Sequence, residues 1–215
     1  DMDEAAYGFA FTDREATVPA GDDPRYIEEL HSLAKPTVDT ILPLTTPELA
    51  PLSRAKERFR DEDITVCVSD WEPLSVANNK ALLYEHLPKE GYDTAPEFHR
   101  VSSPDAIKRA ARSLGYPDHP VVFKPAVSSG QRGFRVLDPD PTDGHSLLDT
   151  KPDPARITLS NFLDALNADE LSDGVVMEHL PGPEYSVDVL ATAEGVPLVV
   201  PRTRIRTRKG ITFVG

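Results

Sequence analysis

The chain has 215 residues, 39% of them apolar, which is enough for one domain of ordinary size or two small lobes sharing a cleft. Its 36 acidic residues outnumber 23 basic ones, and the formal net charge of −13 excludes a general nucleic-acid binder, because neutralising phosphates needs a basic face. No apolar run approaches the roughly 20 residues of a membrane span, and no basic leader precedes an apolar stretch. A single cysteine, Cys67, rules out an internal disulfide or a multi-cysteine metal site. The expectation is a soluble, cytoplasmic protein without membrane or nucleic-acid partners. Homo-oligomerisation stays open.

Of the basic residues only 8 are lysine against 15 arginine, and the carboxylates are dispersed along the chain. Dispersed acidity keeps a protein hydrated in concentrated salt, at the cost of self-repulsion in dilute buffer. A halophilic source is therefore expected, with a merely acidic mesophilic protein as the plainer alternative. Both ends look cut: the chain opens at Asp1-Met2 and closes at Gly215 while a strand pattern is still running.

The first third alternates helix and strand signals. Asp22-Asp23-Pro24 predicts the start of an amphipathic helix over 26–34, and residues 38–42 form a strand that Pro43 ends. Thr45 or Thr46 caps a second helix reaching about residue 60, and 64–68 is a β-branched strand. This alternation predicts a parallel sheet covered by helices, an open α/β arrangement. Next, 74–87 reads as one helix carrying Lys80, followed by a strand at 97–101 and a helix at 106–114 capped by Ser103 and closed by Gly115. An apolar strand at 120–123 ends in Lys124, a Gly/Ser loop leads into a strand at 133–137, and 138–154 is a Pro/Asp/Gly-rich surface excursion. A helix over 158–171 and strands at 174–179, 184–191 and 196–200 complete the chain, the last two joined by an Ala193-Glu194-Gly195 turn.

Two segments carry chemistry. In the first, Lys124 stands at the end of an apolar strand ahead of Ser128-Ser129-Gly130-Gln131-Arg132-Gly133, offering an ammonium and free backbone N–H groups to an anion. It is not a Walker A loop, which needs Gly-Lys-Ser/Thr running into a helix, and an ordinary hairpin with a snorkelling lysine is the competing reading. In the second, Glu178-His179-Leu180 and Glu184 flank a Pro-Gly turn, where extended backbone can meet a purine edge and a carboxylate can accept ribose hydroxyls. Arg202, Arg204, Arg206 and Arg208 recur at every second position, so one strand would project them from one face, to hold an anionic substrate or to be balanced by nearby acids. Trp71 and Cys67 are expected to pack beside a strand. The six histidines show no zinc-site spacing.

These pieces, in this order, resemble the ATP-grasp superfamily, and within it the branch similar to the large subunit of carbamoyl phosphate synthase. The carriers are Asn79-Lys80-Ala81-Leu82-Leu83-Tyr84, Leu114-Gly115-Tyr116-Pro117, Val122-Phe123-Lys124-Pro125-Ala126 with its loop, and 177–188. The resemblance implies mixed α/β and α+β architecture: an incomplete Rossmann-like pre-ATP-grasp domain over 1–72, then an incomplete ATP-grasp domain over 73–215 whose small lobe spans about 116–178. It implies that Lys80 and Lys124 meet the phosphates of ATP, that Ser128, Ser129, Gly130 and Gly133 belong to a phosphate lid, that Glu178, His179 and Leu180 form the adenine hinge, and that Glu184 is the ribose carboxylate. It also implies Mg²⁺-ATP, a small carboxylate substrate activated as an acyl phosphate, and a nucleophile such as an amine. The family's metal-binding acidic residues and Asn have no counterpart after Gly210. A non-catalytic, ATP-binding regulatory domain and a plain scaffold remain as alternatives.

Overall fold

The computed structural model describes residues 1–35, 37–141, 153, 155–166, 171, 173–208 and 211–214, with the backbone alone for 206–208 and 211–214. Contacts divide the chain into two compact units, Asp1–Asn78 and Asn79–Gly215. Among the described residues no helix is long and apolar enough to cross a membrane.

The first unit contains helix α1 (Tyr26–Ala34), strand β1 (Thr40–Ile41), helix α2 (Thr46–Arg60), strand β2 (Thr65–Val66) and helix α3 (Trp71–Ala77). As the alternation predicts, β1 and β2 are parallel, with Thr40 opposite Thr65 and Ile41 opposite Val66. The helix between them starts where the sequence places it. Thr45 Oγ1 donates to Glu48 Oε1 at 2.7 Å and Leu44 N donates to Glu48 Oε2 at 3.3 Å, so one carboxylate closes the first turn. Leu52 and Phe59 turn inward to meet Tyr26, Ala34, Ile64 and Val66 in a continuous core. Among the described residues the one buried polar side chain, Ser53, is satisfied by donating to Ser69 O at 2.7 Å, which ties α2 to the segment after β2. Trp71 and Cys67 depart from expectation. Cys67 is exposed, and Trp71 lies at the surface under the Arg54 guanidinium, 3.8 Å from the ring centroid.

The single helix expected over 74–87 is two. After α3, Asn79 adopts an extended conformation (φ −117°, ψ 111°), and its side chain accepts from Leu82 N at 3.1 Å to start helix α4 (Lys80–His86). Asparagine competes for backbone hydrogen bonds, and here it wins against helix continuation. The consequence is positional, since Lys80 becomes the first residue of a new helix.

The second unit is built on a five-stranded sheet in the order β3 (Phe98–Val101), β7 (Gly174–Glu178), β4 (Val121–Pro125), β5 (Arg135–Leu137), β6 (Arg156–Ile157), antiparallel except for β5–β6. Strand alternation sorts its side chains to two faces. Val101, Val121, Phe123, Leu137 and Val176 pack against helices α5 (Pro104–Ser113) and α6 (Leu159–Ala165) through Ile107, Ala110, Ala111 and Phe162. The opposite face carries Val122, Val136, Val175 and Met177, covered in part by α4 through Ala81 and Tyr84. The helix expected over 158–171 is shorter: Thr158 caps α6 by accepting from Asn161 N at 3.2 Å, and the helix ends at Ala165 with Leu166 extended. Residues 167–170 and most of the 138–154 excursion lie outside the described residues. Strands β8 (Tyr185–Thr192) and β9 (Gly195–Thr203) form an antiparallel hairpin, and β10 (Arg206–Arg208) pairs with β11 (Ile211–Val214). The expectation of one strand presenting four arginines is corrected. Strand β9 ends at Thr203, Arg204 and Ile205 interrupt it, and the Arg206 and Arg208 side chains are outside the described set.

Candidate functional site

Every candidate site residue lies in the second unit. On β4 the back-facing positions are Val121 and Phe123, so Lys124 shares the front face with Val122 and is only half buried. Its ammonium lies 5.8 Å from the Phe134 ring centroid, a cation–π arrangement that sequence reasoning missed. The adjacent signal was local, an aromatic residue directly after Gly133.

Lys80 reaches the same place from α4. Its backbone N–H donates to Ala126 O at 2.8 Å, anchoring the start of the helix to the end of β4. Its ammonium donates to Ser128 O at 3.0 Å and contacts Ser128 Oγ at 3.1 Å. Burial holds Lys80 below the usual lysine range, and the Lys124 charge lowers it further. Burial likewise lowers Lys124, while the Glu184 carboxylate pulls it partly back. A bound anion would stabilise two ammonium groups that are kept half out of water and act on each other.

The loop between β4 and β5 supplies main-chain donors. Gly130 and Gln131 are consecutive left-handed residues at φ 60°, and Gly133 follows at φ 75°. The turn is held by Arg132 N donating to Ser129 O at 3.2 Å, by Phe134 N donating to Gln131 O at 3.1 Å, and by the Arg132 guanidinium on Ser129 Oγ. Gly133 has no alternative, because a Cβ there would stand 2.4 Å from Pro125 Cγ. The loop thus runs hard against the end of the lysine strand.

At the other end of the sheet, Glu178 is the last residue of β7. Its N–H donates to Glu97 O at 3.0 Å and its Oε1 accepts from Glu97 N at 2.9 Å. That carboxylate caps β3, so what this hinge can offer a purine is the main chain of His179 and Leu180, the latter exposed. Glu184 stands immediately before β8, where its carbonyl accepts from Arg204 N at 3.2 Å and its carboxylate accepts from the Arg204 guanidinium. Arg202 makes a two-pronged pair with Asp188 at 2.6 and 3.1 Å. Both substrate-candidate arginines are therefore engaged by carboxylates of the facing strand. Lys80, Lys124, Ser128 and Glu184 are drawn into one neighbourhood by contacts and mutual electrostatics. Among the described residues no group of three or more His, Cys, Asp or Glu gathers to hold a metal ion.

The fold has known counterparts. The chain shares the mixed α/β fold of solved biotin carboxylase and D-alanyl-alanine synthetase structures. Residues 1–88 match the family model described as PylC-like, N-terminal domain. Among solved structures, biotin carboxylase from Campylobacter jejuni, determined as a β-γ-ATP complex, is 17% identical with a TM-score of 0.60 over 97% of this chain and 45% of that one. The biotin carboxylase domain of Hydrogenobacter thermophilus 2-oxoglutarate carboxylase, solved with MgADP, ADP and bicarbonate, is 18% identical with a TM-score of 0.62, covering 97% of this chain and 44% of its own. D-alanyl-alanine synthetase A from Vibrio cholerae is 14% identical with a TM-score of 0.53, covering 79% and 46%. The chain spans less than half the length of each. No curated protein sequence matches at a significant level.

Proposed function

We propose that this chain is the nucleotide-binding part of an ATP-grasp ligase that uses Mg²⁺-ATP to activate a small carboxylate as an acyl phosphate, for attack by an amine or similar nucleophile. The observation that carries the reading is the Lys80–Lys124 pair, two ammonium groups half withdrawn from water beside a loop of small residues. In this reading Lys124 meets the α- and β-phosphates, Lys80 exchanges Ser128 for an outer phosphate, and the 128–133 loop closes with its N–H groups on phosphate oxygens. Charge that spreads over the transferred phosphoryl is then met by donors already in place, which lowers the barrier without reorganisation. The main chain at 178–180 takes the adenine edge and Glu184 the ribose. Mg²⁺ would enter with ATP and supply Lewis-acid charge to its phosphate oxygens, and among the described residues no group of three or more His, Cys, Asp or Glu gathers to hold it.

Within the ATP-grasp class, the order of motifs supports a resemblance to the carbamoyl phosphate synthase branch. The net charge of −13 with few lysines supports a halophilic setting, for which the melting temperature should rise between dilute buffer and molar KCl; an unchanged value would remove that idea.

The direct test is Lys124→Ala, with ATP affinity measured by calorimetry. A hydrogen bond to a charged partner is worth about 1.5–3 kcal/mol, so ATP should bind roughly 10- to 150-fold more weakly. A folded variant that binds ATP as the parent does would defeat the assignment.

A further inference from the structure

Two cross-strand ion pairs close the β8–β9 hairpin, and they differ in kind. Arg202 and Asp188 are both well exposed, at 43% and 60%, an ordinary surface pair of little energetic weight. In the second pair the Arg204 side chain is only 12% exposed, while its partner Glu184 is 59% exposed. The cation is tucked in and the carboxylate stands out. Arg204 is also fixed at its root, since its backbone N–H donates to the Glu184 carbonyl at 3.2 Å, so main chain and side chain grip the same residue. The carboxylate held in this way is the one whose field is felt at Lys124. Glu184 thus pairs with a nearly buried guanidinium and acts electrostatically on Lys124.

An exposed glutamate at a strand end has three free side-chain torsions, and ordering them on ligand binding costs affinity. Arg204 meets that cost before the ligand arrives. A carboxylate has about four acceptor sites, so accepting from a guanidinium does not preclude accepting from a pair of vicinal hydroxyls.

We infer that Arg204 is a positioning residue for ribose recognition: it holds the Glu184 carboxylate in the orientation that accepts from the 2′- and 3′-hydroxyls of ATP, and does not itself bind the carboxylate substrate. The inference rests on the proposed role of Glu184 as the ribose-reading residue.

The test compares ATP with 2′,3′-dideoxy-ATP by calorimetry on the chain as it stands, in the parent and in Arg204→Met, Arg204→Lys, Glu184→Gln and the Arg204→Met/Glu184→Gln double variant. The parent should prefer ATP by about tenfold, as expected for hydrogen bonds to a charged acceptor. Arg204→Met should lose most of that preference by weakening ATP alone, Arg204→Lys should retain part of it, and the double variant should be no worse than Glu184→Gln. Dideoxy binding should be level between the parent, Arg204→Met and Arg204→Lys, which a merely structural role for Arg204 would not allow. Full discrimination in Arg204→Met, or equal weakening of both nucleotides, overturns the inference and leaves the ATP site standing. A parent that binds both nucleotides equally, or neither, overturns the inference together with the reading beneath it.

Discussion

Ser128, within the loop proposed to engage nucleotide, holds Lys80, and Lys80→Met isolates that contact. The substitution keeps the aliphatic stem and removes the ammonium, deleting its bonds to Ser128 O (3.0 Å) and Ser128 Oγ (3.1 Å). Each such bond to a charged group is worth about 1.5–3 kcal/mol, yet two opposing effects are removed with it: the cost of half-burying an ammonium and its repulsion by Lys124. The global stability change should therefore stay within about 1 kcal/mol. Local opening of the loop has no such offset, because the loop itself loses its anchor. A loss of about 2 kcal/mol there corresponds to roughly 30-fold faster amide exchange over residues 128–133, with β4 and α5 unaffected. Hydrogen exchange by mass spectrometry reads the loop, and the urea midpoint reads the whole. Unchanged loop exchange would mean that Lys80 does not anchor it. A global loss of more than about 3 kcal/mol would mean that Lys80 is a structural residue and not a phosphate ligand in waiting.

Gly133→Ala should destabilise by about 2–3 kcal/mol in urea unfolding, combining a left-handed residue with a Cβ driven into the Pro125 ring at 2.4 Å; a change below about 0.5 kcal/mol would show that the loop yields freely. Stability should also climb with pH below 10.5. Lys80 and Lys124 have folded pKa values below that reference, so in this window the unfolded chain binds more protons than the folded one, and the cost of the charged pair is lost as pH rises. Tyr26, held up to about 12 mainly by burial, acts in the opposite direction above pH 10, so the informative quantity is the difference from Lys124→Met, whose stability should rise less between about pH 8 and pH 10. Identical pH profiles for the two proteins would refute the coupling.

Much was legible from local patterns, for reasons that are themselves local. The first-unit helices announce themselves through amphipathic spacing and an N-terminal Thr-Pro-Glu, and Lys124 through its place at the end of an apolar strand before glycines. At two of the boundaries that differ, competing local preferences are nearly balanced. Asn79 could continue a helix or cap one, and Arg204-Ile205 could extend β9 or break it.

Residue order alone established the kinds of group available: two lysines before and after a helix–strand–helix stretch, a glycine loop, two glutamates around a Pro-Gly turn, and too few cations for a polyanion to be met anywhere but at a cluster. Tertiary structure decided which of these groups meet. Packing of α4 on the sheet face brings Lys80 to Ser128, 48 positions away, and strand pairing brings Arg204 to Glu184, 20 positions away. Such partnerships depend on register and on which face of a strand is buried, and a slip of a single residue would reverse both. Sequence spacing carries the identity of the charges, and only the closed sheet and its helices set their distances, on which their electrostatic coupling depends.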